Sequence, residues 1–291
     1  MRSLPPPEAL SASYRTSGSL SSSIIALFRA AIYRTCPPEQ RPMPWRETRD
    51  PYRILVSEIM LQQTQVERVR GKYAEFLAVF PDVATLAPAP VADLLAVWQG
   101  LGYNRRALAL KRCAEEITKR HGGTFPASIA ELEALPGIGP YTARAVAAFA
   151  FGVAEPLIET NIRAVFIHHF FHERNDVHDR EIMPLVAATL DRSDPRVWYY
   201  ALMDYGALIK RTHPNPSRHS RHYTRQSAFE GSNRQLRSRI LRAVMERKAH
   251  TASELAELAG APADQVANNL RDMAREGFLE ESGGQWELRQ Q

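Results

Sequence analysis

Leu135-Pro136-Gly137-Ile138-Gly139-Pro140-Tyr141-Thr142-Ala143 decides how the rest of this chain is read. An apolar helix end meets two glycines one residue apart, and a new helix starts at once. Glycine admits the positive φ of a tight turn and lets another backbone come close. The backbone N–H groups at the start of the second helix have no intrahelical partner, and such a terminus is a ready anion site. An ordinary helix–helix turn is the competing reading of the same letters, so the flanking sequence has to choose.

Outward from the hairpin, residues 23–212 read as almost wholly helical. Apolar residues recur at helical spacing in Ile24-Phe28-Ile32 and in Leu94-Leu95-Trp98. Ser128-Ile129-Ala130-Glu131 has the form of a capping box, and Gly122-Gly123 with Pro126 closes the preceding helix. Residues 1–22, rich in Ser and Pro, are expected to be a flexible leader, and residues 213–232 a basic linker. In 233–291 the pattern changes. Leu236, Ile240, Leu241, Val244 and Met245 form a helical stripe, and Thr251-Ala252-Ser253-Glu254 is a second capping box. Val266, Leu270 and Met273 mark a third helix, and Ser282-Gly283-Gly284 signals a hairpin. Three helices and a hairpin resemble a winged helix-turn-helix, whose third helix would enter the major groove. Arg271 and Arg275 on that helix are offset by Asp264, Asp272 and Glu276, so protein docking or a structural role stands beside base reading.

The 291 residues suffice for two modest domains, and 44% hydrophobic with 24% charged residues fits a globular chain. No stretch reaches the roughly 20 apolar residues of a membrane helix. Cys36 and Cys113 are the only thiols, which excludes a disulfide framework and points to a reducing, cytoplasmic compartment. The net charge of +5 is uneven: residues 210–248 hold eleven Lys and Arg against Glu230 and Glu246. Clustered cations of this kind suit a polyanion, with Arg218, Arg221 and Arg225 as candidate phosphate contacts and a solvated linker as the alternative.

Two further segments carry chemistry. Upstream lie Pro44-Trp45-Arg46, Asp50-Pro51-Tyr52 and Ser57-Glu58-Ile59-Met60-Leu61-Gln62-Gln63-Thr64-Gln65-Val66; downstream lies Ile158-Glu159-Thr160-Asn161-Ile162-Arg163. Between them stands Trp98-Gln99-Gly100-Leu101-Gly102-Tyr103. In this order and spacing, from about Pro44 to about Lys210, the chain resembles the helix-hairpin-helix DNA glycosylases of the endonuclease III superfamily. Its core resembles the MutY-type adenine DNA glycosylases. The implied fold is mostly α: a two-lobed helix-hairpin-helix glycosylase followed by the winged helix-turn-helix.

Breaking a bond between sugar and base calls for protonation of the leaving base and stabilisation of a cationic sugar, which two carboxylates can share. By resemblance Glu58 is the acid, a role that needs a pKa raised by burial among apolar neighbours such as Ile59 and Met60. Glu159 stands where the superfamily generally has aspartate, and Asn161 matches the asparagine that helps hold that carboxylate. The extra methylene displaces the charge by about 1.5 Å. Three readings stay open: a pocket reshaped for another base, a slow adenine enzyme, or a protein that binds without cutting. Tyr141 fills the hairpin position where bifunctional relatives carry a Schiff-base lysine, which implies a monofunctional enzyme. Gln63, Tyr103 and Leu61 are the expected wedges for the gap left by a flipped base. Arg46, Gly137 and Gly139 are expected against DNA.

Many relatives place four cysteines after Met-Asp-x-Gly-Ala to hold an iron–sulfur cluster; after Met203-Asp204-Tyr205-Gly206-Ala207 there is none. His213, His219 and His222 are weighed as zinc ligands and read as phosphate contacts instead. No metal and no cofactor are therefore expected, with a monovalent cation at the hairpin left open. The Nudix-like module usual in adenine enzymes is also not recognisable in the tail. The leading expectation is a monomeric, nucleoid-associated monofunctional glycosylase acting on lesions or mismatches in double-stranded DNA, adenine-type mismatches first. Thymine or uracil mismatches, damaged purines, or a non-catalytic lesion-binding role are the alternatives.

Overall fold

The computed structural model describes residues 5–226, 228–246 and 250–290. Arg247 and Lys248 of the basic stripe lie outside them. In chain order the helices are α1 (Pro7–Ser17), α2 (Ser22–Thr35), α3 (Pro51–Leu61), α4 (Val66–Val79), α5 (Val83–Leu86), α6 (Val91–Trp98), α7 (Arg105–His121) and α8 (Ile129–Glu133). They continue with α9 (Pro140–Phe151), α10 (Thr160–Phe170), α11 (Asp179–Thr189), α12 (Pro195–Thr212), α13 (Asn233–Glu246), α14 (Ala252–Ala259) and α15 (Ala263–Glu276), before strands β1 (Leu279–Ser282) and β2 (Gln285–Leu288). Among the described residues no helix is long and apolar enough to cross a membrane.

The chain forms two compact units, each assembled from separated segments. The first comprises residues 1–54, 127–133 and 139–225. Its core is α10, which buries Ile162, Ala164, Val165, Phe166, Ile167 and Phe170. Phe28 of α2 meets Phe166 and Trp198 at ring separations of 5.7 and 6.3 Å. Residues 7–17 are helix, not flexible leader. Pro7 sits in the first turn of α1, where its missing N–H costs nothing. Leu10 is 1% exposed. Ser11 Oγ donates to the Phe170 carbonyl at 3.0 Å, and Tyr14 packs edge-on against Phe170 and Phe171. The expected linker is also partly built in: Pro216 and Ser217 are buried, and the Val177 N–H donates to the His219 carbonyl at 2.9 Å.

The second unit comprises residues 55–126, 134–138 and 226–291. Phe76 and Trp98 meet in its core at 5.9 Å. α14 opens with the expected capping box, Thr251 with Glu254, and closes on Gly260 at φ 59°. β1 and β2 pair antiparallel from Leu279↔Leu288 to Ser282↔Gln285 around Gly283-Gly284. This C-terminal segment has its own apolar core of Leu236, Ile240, Leu255, Val266, Leu270, Phe278 and Leu279. It groups with residues 55–126 and 134–138 in the same unit. Glu276 takes ion pairs from Arg105 of α7 and Arg237 of α13, and Arg112 of α7 donates to its carbonyl.

Candidate active site

Glu159 is the N-cap of α10, in extended backbone at φ −125°, ψ −179°. Its Oε1 accepts from the N–H groups of Asn161 and Ile162 at 2.6 and 2.7 Å. Oε2 accepts from Asn161 Nδ2 at 3.2 Å. A cap of this kind places the negative charge on the positive end of the helix dipole. Burial of the carboxylate raises its pKa and outweighs the opposing hydrogen bonds and the charges of Lys210 and Arg163. Lys210 Nζ donates to Thr160 Oγ1 at 3.3 Å, and desolvation lowers the pKa of that amine. The cap can sit there because α12 carries Gly206: a Cβ at that position would lie 2.2 Å from the Asn161 carbonyl oxygen.

The hairpin glycines have different reasons to be glycine. Gly137 has φ +76°, and a Cβ would stand 2.5 Å from Ala109 Cβ on α7. Gly139 has open space around it and is the N-cap of α9, a cap residue with no side chain of its own to bond the helix. The positive end of a helix dipole attracts an anion. Tyr141 is half-buried in the first turn of α9.

Glu58 lies in the last turns of α3, 7% exposed, between Ser57, Ile59 and Met60, all buried. Immediately after α3 ends, Gln63 adopts φ 56°, and on the neighbouring loop Tyr103 adopts φ 50°. Left-handed backbone at a non-glycine residue costs about 1–3 kcal/mol and persists only where the surroundings impose it. Arg106 imposes it. Its buried guanidinium donates to the carbonyls of Ile59 (3.0 Å), Met60 (2.9 Å), Gln62, Leu101 (3.3 Å) and Gly102 (2.9 Å) and to Thr64 Oγ1 (3.1 Å). One cation thus closes the C-terminal end of α3 and ties together the loops that carry Gln63 and Tyr103. Desolvation pulls its pKa down to about 10, so it stays charged at neutral pH.

The profile described as HhH-GPD superfamily base excision DNA repair protein matches residues 56–189, the span that holds Glu58, the hairpin and Glu159. The thymine/uracil-DNA glycosylase of Pyrobaculum aerophilum is 35% identical over 177 residues, covering 58% of this chain and 76% of that protein. The chain belongs to the HhH-GPD superfamily. Within it the core is MutY-like: the adenine DNA glycosylase of Mycobacterium tuberculosis is 39% identical over 174 residues, 58% of this chain. The match spans little more than half of that relative, 57% of its length. A solved thermostable thymine-DNA glycosylase superposes with a TM-score of 0.59 at 28% identity, over 65% of this chain and 88% of its own.

Arg46 and part of the basic stripe depart from expectation. Arg46 is not placed for DNA. Its side chain is 10% exposed and pairs with Asp204 through two bonds of 2.6 and 2.9 Å, under the ring of Tyr200. His213, His219 and His222 do not converge: His213 packs on His168, His219 bonds Asn175 at 2.7 Å, and His222 packs on His178. The basic stripe divides. Arg237 and Arg239 are spent on Glu276 and on the Ala259 carbonyl, whereas Arg218, Arg221 and Arg225 are exposed, Arg221 lying 3.7 Å from Asp176. Leu61 is half-buried at the end of α3.

The segment after Gly206-Ala207 does not fit the iron–sulfur cluster of many relatives. Its side chains are Lys210, Arg211, His213 and Arg218, cations and imidazole with no thiolate. Ser217 Oγ, bonded to the Thr160 carbonyl at 3.2 Å, fastens the segment instead. Gly206, Lys210, Arg106 and Arg234 were not singled out from sequence. Only Gly206 carried a signal, a glycine in mid-helix where it costs about 1 kcal/mol against alanine.

Proposed function

We propose that this protein is a monofunctional DNA glycosylase that extrudes a mismatched or damaged base from duplex DNA and hydrolyses its N-glycosidic bond. The observation that carries the reading is the Glu159 carboxylate, fixed by three N–H donors in a chain that also buries Glu58. In the proposed reaction Glu58 gives its proton to the departing base. Glu159, as carboxylate, stabilises the cationic sugar until water adds. A charge held in advance by fixed dipoles stabilises a developing opposite charge without reorganisation. Tyr141 has no amine, so no Schiff base forms at that hairpin position. The positive dipole end of α9 draws a backbone phosphate, with Arg218, Arg221 and Arg225 as exposed cations for others. Proton transfer and hydrolysis of this kind need no cofactor.

Adenine in a mismatch is the first substrate reading, supported by the MutY-like core. Thymine or uracil opposite guanine is the second, supported by the fuller match to the thymine/uracil enzyme. The C-terminal three helices and hairpin are read as a winged helix. The test is a panel of duplexes carrying adenine, thymine and uracil mismatches, assayed with and without alkali. Strand breaks are expected only after alkali, and Glu58→Gln should lower excision by about 10²–10⁴-fold while DNA affinity holds. A covalent adduct trapped by borohydride, or an unimpaired Glu58→Gln protein, overturns the reading.

A further inference from the structure

The C-terminal segment reaches Tyr103 itself through Arg234. Arg234, at the start of α13, donates from Nη1 to the Tyr103 hydroxyl at 2.7 Å, and its guanidinium carbon lies over the tyrosine ring at 5.7 Å. Arg106 lies over the same ring at 5.4 Å. Arg234 is itself steadied by the Ala228 carbonyl at 3.4 Å and by the Phe229 ring at 6.0 Å. Three residues further along the same face of α13, Arg237 pairs with Glu276, which also pairs with Arg105, two residues after Tyr103. Helical residues three apart share a face, so one side of α13 is fixed to the segment that carries Tyr103.

We propose that Arg234 is a positioning residue for Tyr103. It holds the ring in the pose that fills the gap left by an extruded base, and the C-terminal segment thereby takes part in base extrusion. The proposal rests on the glycosylase reading and on Tyr103 as a wedge. Three observations support it. Tyr103 sits in left-handed backbone, which does not fix its own side chain. Its hydroxyl takes the hydrogen bond of a charged donor, stronger and more directional than a neutral one. On α15 the Arg275 guanidinium is paired with Asp272, so contact with Tyr103 is the better-supported use of this segment.

The experiment measures extrusion apart from chemistry. A duplex with 2-aminopurine beside the target base brightens when that base leaves the stack. Wild type, Arg234→Met, Arg234→Lys, Tyr103→Phe, Tyr103→Ala and the Arg234→Met/Tyr103→Phe double variant are compared for brightening, duplex Kd and melting temperature. Arg234→Met and Tyr103→Phe should each lower the extrusion equilibrium by about 10-fold, in keeping with the cost of misplacing a functional group. Duplex Kd should stay within about twofold, the double variant should be no worse than either single one, and Arg234→Lys should recover part of the loss. Multiplying effects, or Arg234→Met that melts lower yet extrudes normally, would overturn the proposal by leaving Arg234 a merely structural contact. If Tyr103→Ala extrudes normally, the wedge assignment falls and the proposal with it. If wild type extrudes bases but excises none, the glycosylase reading fails alone and the extrusion data still decide the role of Arg234.

Discussion

The Glu159 region and the Gln63–Tyr103 region hold their key side chains by opposite means. Glu159 has unstrained extended backbone, and its partners are two and three residues away on the helix it caps. Gln63 and Tyr103 have left-handed backbone, and the groups that fix their loops come from elsewhere in the chain, Arg106 and Arg234 above all. Fixing a charge takes only a local cap, because helix N–H groups are already aligned. Presenting a side chain away from its own fold takes strain, and strain persists only when distant contacts over-determine it. The first region suits a stationary electrostatic task, the second an intrusive one.

The largest expected effect tests the first half of this contrast. Glu159→Gln keeps most of the cap geometry and removes the charge, so single-turnover excision should fall by about 10²–10³-fold with duplex Kd nearly unchanged. Because burial raises the Glu159 pKa, the working anion is lost as pH falls through a value above the ordinary carboxylate's. The acid limb of the wild-type rate should therefore lie higher than about pH 4.3. Glu159→Asp should be no faster on the native substrate, since its shorter arm cannot reach the same point; a faster variant would mark the site as an impaired aspartate site.

A pair of packing variants separates the regions next. Gly206→Ala drives a Cβ toward the Asn161 carbonyl and should cost about 1–3 kcal/mol, read as a lower urea midpoint, together with excision lost through the displaced Glu159 cap. Arg106→Lys keeps a cation but cannot reach both loops. It should lower extrusion more than it lowers the chemical step on an already unpaired base. If the two variants gave the same pattern, the contrast would be one of degree only.

The smallest effect concerns stability against pH. His169 is 4% exposed, beside Phe28 and Tyr205, and burial holds its pKa near 3. The unfolded chain protonates it below about 6.5 and the folded chain does not. Its stabilising contribution is complete above that pH and declines as pH falls toward the folded value, by at most about 1.4 kcal/mol per unit. Unfolding free energies from urea titrations at pH 7 and 6 should differ by about 1 kcal/mol or less in wild type, and by less still in His169→Phe.

Sequence made the local devices legible. Gly137 at its positive-φ turn, the α14 capping box and the burial of Glu58 each depend on a few adjacent residues, and each stands where it was expected. What escaped depends on long-range partners. Arg46 looks like a surface cation until Asp204, 158 residues away, closes on it. Ser and Pro in residues 7–17 suggest a loose leader, because composition does not show that Tyr14 has Phe170 of α10 to pack on. Lys210 and Arg237 belong to a charge run whose members differ only in what the fold brings to them.

The bond between Tyr103 and Arg234 also has a bearing on how the protein is made. The two residues are 131 positions apart. At about 5–20 residues per second a ribosome needs roughly 7–26 s to travel from one to the other. Through that interval the nascent chain carries α7 without Glu276 and Tyr103 without its hydroxyl partner. The hydroxyl gains that partner only once residue 234 has been made, so a polypeptide released early at a stop within residues 160–233 would carry Glu58 and Glu159 with Tyr103 still lacking its Arg234 bond.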